Sequence, residues 1–335
     1  MPSSNRIIIC AAGGGKTTSI VKEACGAVSS KCALVTYTKN NEQEIHRKFY
    51  KIAPVLPPHV EVLSWFTFVL RELARPYRPV LHGQRIEGFS WQEGRSVPFV
   101  PQSRTSPHYF HDGRYIYSDK IAKFVCECDR ISGGKVMRRL AQRFNHIFID
   151  EVQDLAGYDL EIVELIIKAG IQLILVGDHR QATLRTNNAK KNSAFVGSKI
   201  IHKFREWDKL GLAKLSYQQH TYRCHQHIAI LGDSLFPDEP STKSLADVTT
   251  GHDGVFIVPP RLVSVYVERF APQVLRLDKK TLCDEYPAMN FGESKGLTFD
   301  RVLIFPHNGG KKWLGTAKLA HVEKSAAKKA LRDKW

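Results

Sequence analysis

The chain has 335 residues, 43% of them apolar and 24% charged, and its Lys and Arg outnumber Asp and Glu by 49 to 33 for a net charge of +16. That composition excludes a disordered or fibrous chain, and the length exceeds what one core ordinarily fills, so two α/β domains are expected. The basic excess points to a polyanionic partner held by phosphate neutralisation, and no apolar run approaches the ~20 residues of a spanning helix, which points away from a membrane.

The opening Met1-Pro2-Ser3-Ser4-Asn5 lacks the charged-then-apolar pattern of a signal peptide, so a cytoplasmic location is expected. β-rich apolar runs then alternate with helical stretches: Arg6–Ala11 and Thr17–Val28, Cys32–Thr36 and Asn41–Tyr50, Phe144–Asp150 and Leu160–Ala169, then Gln172–Gly177. Strands spaced by helices imply a buried parallel sheet. Between about Pro76 and Ser118 the pattern dissolves into Pro, Gly, Arg, His and aromatics, which reads as an insertion on the sheet. A second α/β unit is expected from near Gly211, with a strand at Leu212–Ser216, a helix at Gln226–Phe236 and a late strand at Arg301–Pro306. Gly315–Trp335 has the composition of a helix. The seven cysteines lack paired spacing, so reduced thiols are expected; His220, Cys224, His225 and His227 can be drawn as a metal site, but helical amphipathicity accounts for them better.

Two segments carry chemistry. Ile7-Ile8-Ile9-Cys10 is an apolar strand, and Ala11-Ala12-Gly13-Gly14-Gly15-Lys16-Thr17-Thr18 is a glycine-rich bend with Lys-Thr opening a helix. A Walker A loop needs that context: backbone N–H groups of Ala12, Gly13, Gly14, Gly15 and Thr18 wrap phosphates, Lys16 neutralises the outer ones and Thr17 holds Mg²⁺. Cys10 stands where the usual pattern has its first glycine. Phe144 to Ile149 is a second apolar strand, ending in Asp150 and Glu151. Both acids then lie at the carboxyl edge of a parallel sheet, with Asp150 holding Mg²⁺ opposite Thr17 and Glu151 activating the water that attacks ATP.

With these motifs in hand, the sequence resembles the UvrD/Rep family of superfamily 1 helicases, in order from Ile7 to about Pro306. Val35-Thr36-Tyr37-Thr38-Lys39-Asn40 is similar to motif Ia, Leu175 to Gln181 to motif III, His220-Thr221-Tyr222-Arg223 to motif IV and Gly292 to Asp300 to motif V. The resemblance implies two RecA-like P-loop NTPase domains of α/β class with parallel sheets: residues 1–207 as the first, carrying an insertion at about 76–118, and 208–335 as the second, incomplete before the last motif. It implies that Gln181 senses the γ-phosphate and that Arg223 is an arginine finger. It also implies nucleic-acid contacts at Thr36, Tyr37, Thr38, Trp65, Ser294 and Lys295.

Besides stopping before the last motif, the sequence departs from the family in three further ways. No upstream Gln precedes the first strand to read adenine, Thr183-Leu184-Arg185-Thr186 replaces the base-stacking aromatic pair after motif III, and Leu235 to Asn290 is too short for the large accessory domain. Tyr37 and Trp65 are the substitute platforms, and Arg75, Arg78, Arg85, Arg95 and Arg104, interleaved with Tyr77, Phe89, Trp91 and Phe99, suggest that the insertion lies along a nucleic-acid strand or a separation point, a solvated basic loop being the alternative. Two functions are therefore expected in competition: a motor on single-stranded or partly duplex DNA, or a nucleic-acid-responsive ATPase switch working with a nuclease or repair partner. RNA in place of DNA keeps the same fold.

Overall fold

The computed structural model describes residues 5–182, 185–187, 189–247, 250–295 and 297–316. Thr183, Leu184, Gly296 and most of the expected terminal helix lie outside the described residues. The chain divides into two compact units: Met1–Cys10, Gly15–His179 and Leu184–Gln218 form the first, and Ala11–Gly14, Arg180–Thr183 and Gln219–Trp335 the second.

The first unit is built on β1 (Arg6–Cys10), α1 (Lys16–Gly26), β2 (Cys32–Thr36), α2 (Lys39–Tyr50) and β3 (Val60–Ser64). From there α3 (Trp65–Phe68) runs through a π-helical segment, Val69–Ala74, into α4 (Arg75–Tyr77). The insertion follows as β4 (Gly88–Ser90), α5 (Thr105–Tyr109), β5 (Phe110–His111) and β6 (Tyr115–Tyr117). The unit closes with α6 (Ile121–Ile131), α7 (Lys135–Arg143), β7 (His146–Ile149), α8 (Tyr158–Lys168), β8 (Gln172–Gly177), α9 (Ile200–Lys209) and β9 (Lys214–Gln218).

Six of these strands make one parallel sheet in the order β3-β2-β7-β8-β1-β9. Alternate residues feed opposite layers, as strand pleating requires. Cys32, Leu34, Phe148, Ile174 and Val176 pack with Ile20, Val21, Ala24, Ile45 and Phe49 of α1 and α2. Ala33, Val35, Ile147, Ile149, Leu173 and Leu175 pack on the other face with Phe124, Val125, Leu160, Val163 and Phe204 of α6, α8 and α9. Because every strand is parallel, Cys10, Thr36, Ile149 and Gly177 end on one edge, where open α/β sheets bind ligands.

One expectation is corrected and another gains detail. The strand after Gly211 does not begin the second unit: β9 pairs with β1 along Arg6 to Cys10 and closes the edge of the first sheet. The insertion, unreadable as either period, contains a small sheet in the order β4-β6-β5, with β4 parallel and β5 antiparallel to β6.

The second unit contains β10 (His220–Thr221), α10 (Gln226–Asp233), β11 (Lys243–Ser244), α11 (Val263–Phe270), β12 (Gln273–Arg276), β13 (Ala288–Asn290), β14 (Val302–Phe305) and α12 (Asn308–Thr316). Its main sheet is parallel, in the order β13-β12-β14. Its buried cluster is small, Leu235, Phe236 and Trp313 with Leu231 against them. Among the described residues no helix is long and apolar enough to cross a membrane, and no group of His, Cys, Asp and Glu is arranged to hold a metal ion. The seven cysteines are free thiols.

Candidate nucleotide site

At the end of β1 the chain turns sharply, with the Gly14 amide donating to the Ala11 carbonyl at 2.9 Å. Gly13 and Gly15 take φ of +73° and +81°, a region that side chains disfavour. At Gly14 the constraint is space: a Cβ there would lie 2.8 Å from the His220 carbonyl and 2.9 Å from that of Ala11. α1 then opens with neither a side-chain cap nor an acidic residue in its first turn. Its first amides are therefore unclaimed by the helix, and its positive dipole end faces no anion of its own. Such a terminus suits phosphate.

Against the first turn of α1 stand the two acids after β7. The Thr17 hydroxyl donates to Asp150 Oδ2 at 2.7 Å, and Lys16 Nζ pairs with Glu151 Oε1 at 2.8 Å. Burial alone would pull the Lys16 ammonium down, but Glu151 and Asp150 outweigh it and hold it above its ordinary value. Burial, reinforced by Glu151 and opposed by Lys16, pushes the Asp150 carboxyl up. Glu151 itself takes φ of +56°, which turns its side chain off the strand line.

Gln153 carries a role the sequence reading missed. It is 1% exposed; its amide donates to Glu151 Oε2, and its Oε1 accepts from the Asp178 amide at 3.1 Å. It therefore joins the carboxylate to the residue after β8, within the segment similar to motif III. A Cβ on Gly177 would lie 2.2 Å from Gln153 Oε1, so the strand end must be glycine for the glutamine to lie there. Thr18 receives a bond from Lys48 Nζ at 3.1 Å, which ties α1 to α2. Cys10 is fully buried, and its thiol is pushed up to about 12 by burial, with Lys16 opposing and Asp178 adding. It stays neutral and sets no negative charge against a phosphate.

Within the second unit, Thr221 Oγ1 donates to the Ala12 carbonyl at 2.6 Å and the Tyr222 amide to the Gly13 carbonyl at 3.1 Å. These bonds hold the first half of the loop and seat Arg223, whose side chain is exposed, beside Gly13: a Cβ on that glycine would lie 2.4 Å from Arg223 Cβ. Thr221 is a second residue the sequence reading passed over, since a backbone-holding hydroxyl leaves no spacing signature. Gln181 ends a 3₁₀ turn, His179–Gln181, and is half-buried. Its neighbour Arg180 is fixed to Asp233 Oδ1 at 3.0 Å.

The expected nucleic-acid contacts separate into three groups. Thr36 is fully buried and Trp65 only 1% exposed, its ring packed on Phe68, so neither side chain can meet a base; this corrects both expectations. Thr38 accepts from the Asn41 amide at 3.1 Å and caps α2, while Tyr37 is half-buried against Phe66. Ser294 and Lys295 are half-buried after β13, with Ser294 Oγ donating to the Phe291 carbonyl at 2.9 Å. In the insertion, Arg75 donates to the Ile86 and Glu87 carbonyls and Arg78 to those of Gln84 and Arg75. Those two arginines fasten the loop rather than face a strand.

Residues 117–194 match the model of the UvrD/REP helicase N-terminal domain, so the resemblance read from the ordered motifs is shown independently over that segment. No curated protein sequence matches the chain. Among solved structures, the PRRSV helicase is similar at 15% identity and a TM-score of 0.43, over 98% of this chain and 50% of that one. An arterivirus nonstructural protein 10 helicase in complex with DNA is similar at 15% identity and a TM-score of 0.46, over 90% and 54%. A structure of arterivirus nonstructural protein 10 without that description of DNA gives 12%, 0.45, 99% and 57%. The chain thus spans about half the length of these helicases.

Proposed function

We propose that this chain, whose residues 117–194 match the UvrD/REP helicase N-terminal domain, is the ATP-hydrolysing core of a helicase or translocase acting on single-stranded DNA. The observation that carries the reading is the pair of contacts that closes the site, Lys16 to Glu151 and Thr17 to Asp150. Both pairs join the first turn of α1 to the acids after β7. Each residue in them has a partner it would exchange when ATP enters. Lys16 leaves Glu151 for the outer phosphate oxygens, and Glu151 is then free to accept the proton of the attacking water while Gln153 holds its other oxygen. The loop amides and the first turn of α1 bind the remaining phosphate charge.

Thr17 and Asp150 offer hard oxygen donors side by side, a set that fits Mg²⁺; these two residues would hold the ion, which would supply positive charge to offset the charge developing on the phosphates. In this reading Gln181 and Arg223 supply the contacts that differ between nucleotide states, which is what lets hydrolysis shift a conformational equilibrium. Ser294, Lys295, Tyr37 and Thr38 are proposed to touch the strand.

A fluorescent ATP analogue and a phosphate-release assay test this assignment together. Lys16→Ala is expected to lose nucleotide binding. Glu151→Gln is expected to bind as the parent does and to lose turnover by about 10²- to 10⁴-fold, the usual worth of a positioned base. Normal hydrolysis by Glu151→Gln would overturn the assignment of the base.

A further inference from the structure

Trp91 is 65% exposed, whereas Trp65, Trp207 and Trp313 are at most 4% exposed. A large ring left in water ordinarily sits on a mobile loop, but this one is held. It meets Phe66 edge-on with centroids 4.9 Å apart at 81°, and Phe89 at 5.0 Å and 34°. Phe66 and Phe89 pack in turn on the main core. The backbone on either side is pinned: the Gln92 amide donates to Ser118 Oγ at 3.1 Å, the Ser118 amide to the Ser90 carbonyl at 3.1 Å, and the Ser96 amide to Asp119 Oδ2 at 3.0 Å. A rigid aromatic face is therefore presented to solvent from the end of β4. Preorganisation of this kind saves the ordering cost that a loose ring would incur on binding.

The ring is continuous with the proposed track. Tyr37, immediately after β2, packs on Phe66 at 6.0 Å, and Phe66 packs on Trp91, so aromatic rings run from the sheet's carboxyl edge to the surface. The surrounding charge suits phosphate. Residues 75–104 hold five arginines against Glu87 and Glu93; Arg75 and Arg78 fasten the loop, and Arg85, Arg95 and Arg104 are exposed. Arg95 also lies near enough to Arg185 for the two cations to repel, beside the desolvation that Arg185 bears.

We infer that Trp91, braced by Phe66 and Phe89, is a base-stacking platform for single-stranded DNA, in place of the aromatic pair absent after motif III. The inference rests on the nucleic-acid reading above. A protein partner is a poorer fit: a stable protein interface needs roughly 1,000 Å² of complementary surface. A single exposed ring on an arginine-rich segment offers instead what one base and its flanking phosphates require.

The test uses the full chain with Trp335→Phe, so that Trp91 dominates the solvent-sensitive emission, titrated without nucleotide. Oligothymidylate is compared with an abasic deoxyribose strand of equal length. Oligothymidylate should quench the emission and bind tighter than the abasic strand. Trp91→Ala should weaken oligothymidylate by about 5- to 150-fold, the worth of one stacked base, and leave the abasic strand within about twofold. Trp91→Phe should recover most of the loss. Equal binding of oligothymidylate by Trp91→Ala and the parent would overturn the platform alone, and so would an equal loss for both strands. Failure of the parent to bind either strand would overturn the nucleic-acid reading itself.

Discussion

At the scale of single residues, the proposed nucleotide site was legible because its chemistry dictates spacing. A lysine and a threonine after three glycines, and two acids after a strand, keep their meaning whatever surrounds them, and Lys16, Thr17, Asp150 and Glu151 do meet in pairs. Thr36 and Trp65 are not legible as buried, because exposure is a property of the packed fold: Trp65 directly follows β3, opens α3 and turns inward onto Phe68. Beneath it lies Asp159, 2% exposed, whose carboxyl burial raises to about 7, with Thr186 and Trp65 drawing it partly back. The folded chain thus binds this proton more tightly than the unfolded chain, whose carboxyl titrates near 3.8. Its contribution therefore falls as pH rises from there to about 7. Asp159→Asn is expected to remove that slope, gaining at most about 4 kcal/mol over the parent by the upper end of the window. Urea unfolding at stepped pH measures it, and parallel stability curves would contradict it.

At the scale of elements, long apolar strands with helices between them were readable, whereas assignment to a sheet was not. β9 alternates Leu215 and Tyr217 with polar residues, as a strand can, but only its pairing with β1 places it in the first unit. The insertion was opaque for a different reason. Strands of two or three residues, as in β4, β5 and β6, are too short to establish a period, and their stability comes from side chains reaching back. Arg75 is the clearest such side chain, with bonds to the Ile86 and Glu87 carbonyls at 3.1 and 2.9 Å. Arg75→Ala is expected to leave the global melting nearly unchanged while the amides of residues 85–92 exchange about 5- to 150-fold faster, the equivalent of one to three kcal/mol of local opening. Unaltered exchange there would show that the small sheet stands without its arginine clasp.

At the scale of the whole molecule, the net charge of +16 and the ordered motifs belong to one account: a nucleotide site whose occupancy is coupled to a polyanion. Charge alone gives binding without direction, and the Walker pairs alone give hydrolysis without a track. The central claim is that the two are linked. ATP hydrolysis by this chain, measured with and without oligothymidylate at low and moderate salt, tests it most directly. The account predicts turnover that rises severalfold or more with the strand, less so as salt weakens the contact, and that is lost in Glu151→Gln at every strand concentration. Hydrolysis that saturates identically with and without the strand, while the strand is demonstrably bound, would contradict it.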